Sequence, residues 1–207
     1  MFRRASRLLL VCVLVLASTQ DFYAQKTGNF ISGIKSNLLY DVALTPNIGV
    51  EFHLGKGWSI GADWAYAWWN NEDQHFFHRV YGGDLDVRKY FGRKSAERPL
   101  SGHHIGLYGQ MLTYDFAPGG ADKGILSKLS YGAGLGYGYS HPIADRLNLD
   151  FEIGIGYLGG EYEVYTPIDD HYVWQETRQR FWIGPTKVGI SLVWIIDRNT
   201  FRKGGAR

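Results

Sequence analysis

Residues 130–140 read SYGAGLGYGYS, and glycine takes every second position from Gly132 to Gly138. Between them stand Tyr131, Ala133, Leu135, Tyr137 and Tyr139. Glycine loses more backbone entropy on folding than any other residue. A chain that lines one whole face with it needs that face clear of side chains. A period of two marks a β-strand whose faces differ in chemistry.

The same period runs through the rest of the chain. Phe30, Ile34, Leu38, Tyr40, Val42 and Leu44 alternate with polar positions, and residues 45–47 (TPN) break the run. Ile48, Val50, Phe52 and Leu54 follow, then Trp58, Ile60, Ala62, Trp64, Tyr66 and Trp68 after the turn at 55–57. Further alternating runs cover Tyr81–Arg88, Ile105–Thr113, Leu147–Tyr157 and Lys187–Trp194. Counted with 130–140, these predict eight strands, mostly of about ten residues or more, the length of a tilted membrane-crossing strand.

One face of every strand is apolar, and the other carries glycine, serine and charge. A soluble β protein turns its apolar faces inward and does not set bare glycine outward four times in one strand. The pattern therefore predicts an all-β, closed antiparallel transmembrane barrel of eight strands, apolar outside, polar and glycine-rich inside. Unpaired backbone is not tolerated in lipid, so the sheet must close. An eight-stranded interior is just wide enough for side chains. Gly132, Gly134, Gly136 and Gly138 then leave room for a lumen network of Lys35, Glu51, Asp63, Asp86, Arg88, Asp150, Glu152 and Lys187. Trp58, Trp68, Tyr139, Tyr157 and Trp194 are expected in the aromatic girdles. Turns at 55–57 and 141–146 read as short connections, and 115–128 and 159–177 as long outward loops. The long stretch 92–102 and the short break 45–47 fit their expected sides poorly.

The 207 residues carry a net charge of +2, which gives no field for nucleic acid. Arg3, Arg4 and Arg7 precede the apolar run Leu8–Ala17, the pattern of a secretory signal peptide. We read 1–25 as that signal, 26–196 as the barrel domain and 197–207 as a short basic tail. Cys12 lies in the signal after Val11, which does not suit lipidation, and the mature chain holds no cysteine. Disulfides and thiol chemistry are thereby excluded from it.

Chemical motifs are sparse. Gly154–Gly159 matches the letters GxGxxG, but no helical period follows it, as a dinucleotide fold requires. His75 with His78, and His103 with His104, lack the third converging ligand that zinc needs. Asp169, Asp170 and His171 lack calcium-loop spacing. Ser130, Ser140, His141 and Asp145 are candidates for a rim catalytic group of a lipid-modifying enzyme, if they converge. No cofactor and no catalytic or metal-binding residues are assigned.

Three stretches, Lys35-Ser-Asn-Leu-Leu-Tyr-Asp41, Thr45-Pro-Asn-Ile-Gly-Val-Glu51 and Gly184–Ile196, resemble an uncharacterised family of outer-membrane proteins, domain of unknown function 3575, from anaerobic Gram-negative bacteria. The resemblance covers about 35–196 and implies a small barrel of the OmpA or OmpX shape with no established activity. Some members lie beside fimbria-building genes. The expectation is a non-enzymatic protein of the bacterial outer membrane with a structural, adhesive or surface-assembly role. Its partners would be outer-membrane lipid and, through outward loops, cell-surface or fimbrial proteins. The alternatives are an outer-leaflet lipid-modifying enzyme, a narrow pore, and a soluble exported barrel that binds a small apolar ligand.

Overall fold

The computed structural model describes residues 31–120, 123–168 and 171–197. The expected signal at 1–25 and the tail from 198 onward lie outside these residues. Eight strands follow one another round a closed antiparallel ring, β1-β2-β3-β4-β5-β6-β7-β8. They are β1 (Ile31–Asn37), β2 (Asn47–Gly55), β3 (Trp58–Asn71), β4 (Phe76–Phe91), β5 (Gly102–Pro118), β6 (Gly124–Ala144), β7 (Leu147–Ile168) and β8 (His171–Asp197). Two short helices sit in connections: α1 (Leu38–Val42) between β1 and β2, and α2 (Arg93–Glu97) between β4 and β5. Ile31 pairs with Asp197, so both described chain ends meet at one end of the ring, which we call the terminal end. The tight turns at 56–57 and 145–146 and the α2 segment lie there too.

Alternation sets which way each side chain points. On β6, Tyr131, Leu135 and Tyr137 are exposed, while Gly136, Gly138 and Ser140 are buried. The inner glycines are small because their neighbours are large. A Cβ on Gly138 would collide with the His104 ring and the Phe151 carbonyl; one on Gly136 would lie 2.8 Å from Glu152 Oε1. One on Gly134 would meet the Tyr108 hydroxyl at 2.5 Å. The empty face of SYGAGLGYGYS thus houses long polar side chains of β5 and β7.

The strands lengthen round the ring, from 7 residues in β1 to 27 in β8. The wall is low at β1 and β2 and tall at β6, β7 and β8. β1 is shorter than its sequence period because Asn37 stops it: its side chain accepts from Leu39 N at 3.1 Å and caps α1. The alternation at 38–44 is therefore carried by a helix turn and the approach to β2, not by strand. The reverse holds at the far end. The expected long loops at 115–128 and 159–177 are mostly paired backbone, as β5 runs to Pro118, β6 starts at Gly124 and β7 runs to Ile168. β-Bulges at 126–129 and 164–165 let these hairpins bend as they rise.

The stretch 92–101, long for a turn, closes the terminal end. Leu100, in the left-handed region at φ 55, is buried against Tyr90, Val193 and Ile195. Its carbonyl accepts from Ser140 Oγ at 3.0 Å and Asn148 Nδ2 at 2.7 Å.

Candidate functional site

The centre of the ring is polar, and each contributor is an inward position of a strand. Arg88 on β4 is the hub. Its guanidinium lies 3.2 Å from Glu51 on β2, 3.1 Å from Asp86, 3.2 Å from Asp150 and 2.8 Å from Glu152, both on β7. Lys35 on β1 reaches Asp63 on β3 at 2.7 Å and Asp86 at 3.5 Å. Lys187 on β8 reaches Asp84 at 2.6 Å, Glu152 at 3.6 Å and Asp86 at 3.7 Å. The structure brings Lys35, Glu51, Asp63, Asp86, Arg88, Asp150, Glu152 and Lys187 into one connected set.

That set contains members the sequence reading did not assign to it. Asp84 joins through Lys187, and its inward place on the alternating run of β4 was available as a signal. His104, fully buried, contacts Asp150 at 2.9 Å through Nε2. Ser59 and Tyr90 donate to Glu51 at 2.6 and 2.9 Å. These groups matter because six carboxylates face three basic side chains, Lys35, Arg88 and Lys187. Burying charge is costly unless it is paired and further hydrogen-bonded, and the Ser59 and Tyr90 hydroxyls supply such donors to Glu51.

Above this set, toward the far end, lies a cavity of about 310 Å³. Tyr40 of α1, His78, Asp63, Asp84, Gln110 and Lys187 are among its lining residues. Of its lining carboxylates, Asp63 and Asp84 group with Asp86, and the three lie within 4.8 Å of one another. Among the described residues this is the grouping closest to a cation site, but the ammonium groups of Lys35 and Lys187 already sit on it.

The two family-like motifs at the low wall meet at the cavity's edge. Asn47 Oδ1 accepts from Asn37 N at 2.6 Å, and Asn47 Nδ2 donates to Asp41 Oδ1 at 2.9 Å. Ser36 donates to the other oxygen of Asp41 at 2.8 Å. Asn37 Oδ1 also accepts from Ile190 N at 3.3 Å, so a side chain extends the β1–β8 ladder one step past the end of β1.

The candidate catalytic residues do not converge. Ser130 pairs with Ser127 inside the tall wall. Ser140 is buried ten residues further along β6, at the Leu100 plug. His141 is exposed beside Lys94, and Asp145 lies in the terminal turn. His75 packs against Tyr172 while His78 bonds Thr45, and His103 and His104 face opposite ways. Gly154–Gly159 lies wholly within β7. Asp169 and Asp170 lie outside the described residues.

The outer wall is apolar. Leu85, Leu107, Met111, Leu135, Ile155 and Ile183 are each more than 60% exposed. They form part of a continuous band over β3 to β8, which Trp58, Phe91, Tyr139 and Trp194 edge toward the terminal end. Tyr66, Trp68, Tyr131 and Tyr157 edge it on the far side.

The model of the family described as Protein of unknown function (DUF3575) matches residues 8–196. No curated protein matches the chain. A similar solved structure is that of a major outer membrane protein from Thermus thermophilus, at 12% identity and a TM-score of 0.39, with 82% of this chain and 100% of that chain covered.

Proposed function

We propose that this chain, which belongs to the DUF3575 family, is a non-enzymatic integral protein of the bacterial outer membrane whose tall far rim is a contact surface for other surface proteins. The exposed apolar band carries the reading. An apolar surface continuous over six strands is far larger than a soluble monomer leaves in water, and its outward positions span about ten residues per strand, which matches a bilayer core. A ring pairs every strand across that span, as lipid demands. The terminal end, with tight turns and a plug, faces the periplasm. The far end, where β6, β7 and β8 project, faces outward, and rigid projections are natural points of contact. The ion-paired lumen supports a structural frame rather than a channel.

Cell fractionation and a heat-modifiability gel test the membrane reading. The protein is expected in the outer-membrane pellet, released only by detergent, and shifting on boiling. Release by salt alone would overturn it. Deletion of the gene, with envelope integrity and surface adhesion measured, tests the contact role; unchanged behaviour in both would count against it.

A further inference from the structure

His103, a motif residue with no part in the lumen, stands in an unusual group on the outer wall at the terminal end. Phe91, His103, Tyr139 and Phe151 are register partners across β4, β5, β6 and β7 and form one outward-facing row, Tyr139 half-buried within it, at the lower edge of the apolar band. The His103 ring lies 4.7 Å from that of Tyr139 and 5.8 Å from that of Phe91, and its Nδ1 is 2.7 Å from Tyr137 Oη. Lys94 of the α2 segment reaches up to this row. Its ammonium donates to Tyr139 Oη at 2.7 Å and lies 3.4 Å from His141 Nδ1. An ammonium has three donors, so one remains directed at neither of these groups. Arg93 and Arg98 flank Lys94, while the nearby Glu97 is engaged by Arg93 at 2.9 Å. The surface is thus basic just where the wall turns from apolar to polar.

We propose that Lys94, His103, Tyr137, Tyr139 and His141 form a binding site for the phosphate headgroup of an anionic phospholipid in the periplasmic leaflet. The proposal rests on the membrane reading above. A lipid seated there would lay its acyl chains along Phe91, Phe151 and the band above. It would present its phosphate to the Lys94 ammonium, the histidine rings and the tyrosine hydroxyls. Charge and height both select this occupant: the site is cationic, exposed and level with the headgroups of a bilayer centred on the band. Basic residues near a membrane surface favour anionic lipid by a few-fold each.

The test uses the purified full-length protein in detergent, with phosphatidylglycerol and phosphatidylcholine added in equal amounts and retained lipid counted by native mass spectrometry. One phosphatidylglycerol is expected to be retained over phosphatidylcholine by about fivefold. Lys94→Gln with His141→Gln is expected to abolish the preference, Lys94→Arg to keep it, and Lys128→Gln, on the far rim, to leave it unchanged. All variants should remain heat-modifiable, since the altered groups are exposed. Equal retention of the two lipids by the wild type, or a preference that survives the double variant, would overturn the site while the membrane reading stands. Displacement by inorganic phosphate at the lipid's concentration would overturn the lipid assignment. A protein recovered without detergent in the soluble fraction would overturn both.

Discussion

The terminal half of the ring and the far rim are built on opposite plans. In the terminal half all eight strands pair, and the interior is filled by charges that meet across the lumen from β1, β2, β3, β4, β7 and β8. The far rim rises from β3 to β8 and is tallest at β6 to β8. It is held by one small apolar cluster, Phe77, Ala117 and Tyr165 with Leu126, by ring contacts of Phe77 and Tyr165 with Tyr172, by a pair of polar links through Asp115 and by the Lys128–Glu163 ion pair. The contrast teaches that closure and polar packing secure the frame, while the rim depends on a few side chains between neighbouring hairpins. Changes in the first region should therefore unfold the barrel, and changes in the second should loosen the rim alone.

The largest effect should come from the hub. Arg88→Met strips the shared cation from Glu51, Asp86, Asp150 and Glu152. Removing one partner of a buried ion network costs about 3–5 kcal/mol. The variant is expected to lose its heat-modifiable form or to unfold at markedly lower urea in lipid vesicles; a wild-type midpoint would mean the network is not what holds the terminal half.

Leu100→Ala comes next. It empties a plug position packed on Tyr90, Val193 and Ile195, at a cost of about 2–5 kcal/mol. Protease with access to the terminal end should then cut within 92–101, with the rim unchanged. On the outer wall, Leu135→Arg sets a charge in the middle of the apolar band, which costs about 2–4 kcal/mol when that surface faces lipid. Folding yield into vesicles should fall. An unaffected yield would mean that Leu135 does not face lipid, and would turn the comparison between wall and lumen upside down.

How much of this was legible can be read from particular residues. Glu51, Asp63, Glu152 and Lys187 sat on the polar face of alternating runs, and period two is a local property that survives without knowledge of the partner strand. The glycines of 132–138 pointed to crowding, because only large opposite neighbours make an empty face useful. What could not be read was where strands end. Leu38–Leu44 alternates as a strand would, yet Asn37 caps a helix because Asn47, ten residues later, bonds its backbone at 2.6 Å. The stretches 115–128 and 159–177 look like loops in composition, but their neighbours continue the ladder. Register between strands is a non-local fact. So is the role of Leu100, which needs Val193 and Ile195 from nearly a hundred residues away.

The smallest change probes the rim by itself. Tyr165 donates to Asp115 Oδ1 at 2.5 Å, and Asp115 also holds Arg79 at 3.3 Å. Tyr165→Phe keeps the ring and removes that one bond, worth about 1 kcal/mol. The melting of the barrel should not move, while protease cuts near 165–175 should become faster. Burial first, then the bond to Asp115, raises the Tyr165 phenol above its ordinary value of 10.0. A group with a raised folded-state value gives its full stabilisation below the unfolded value and loses it as pH climbs beyond. The wild-type rim should therefore stay as resistant at pH 8 as at pH 9 and open progressively above about pH 10, whereas Tyr165→Phe should lack that step. If both proteins loosen together with pH, Asp115 and Tyr165 do not tie the rim, and its order must come from its other contacts, the Phe77 and Ala117 packing among them.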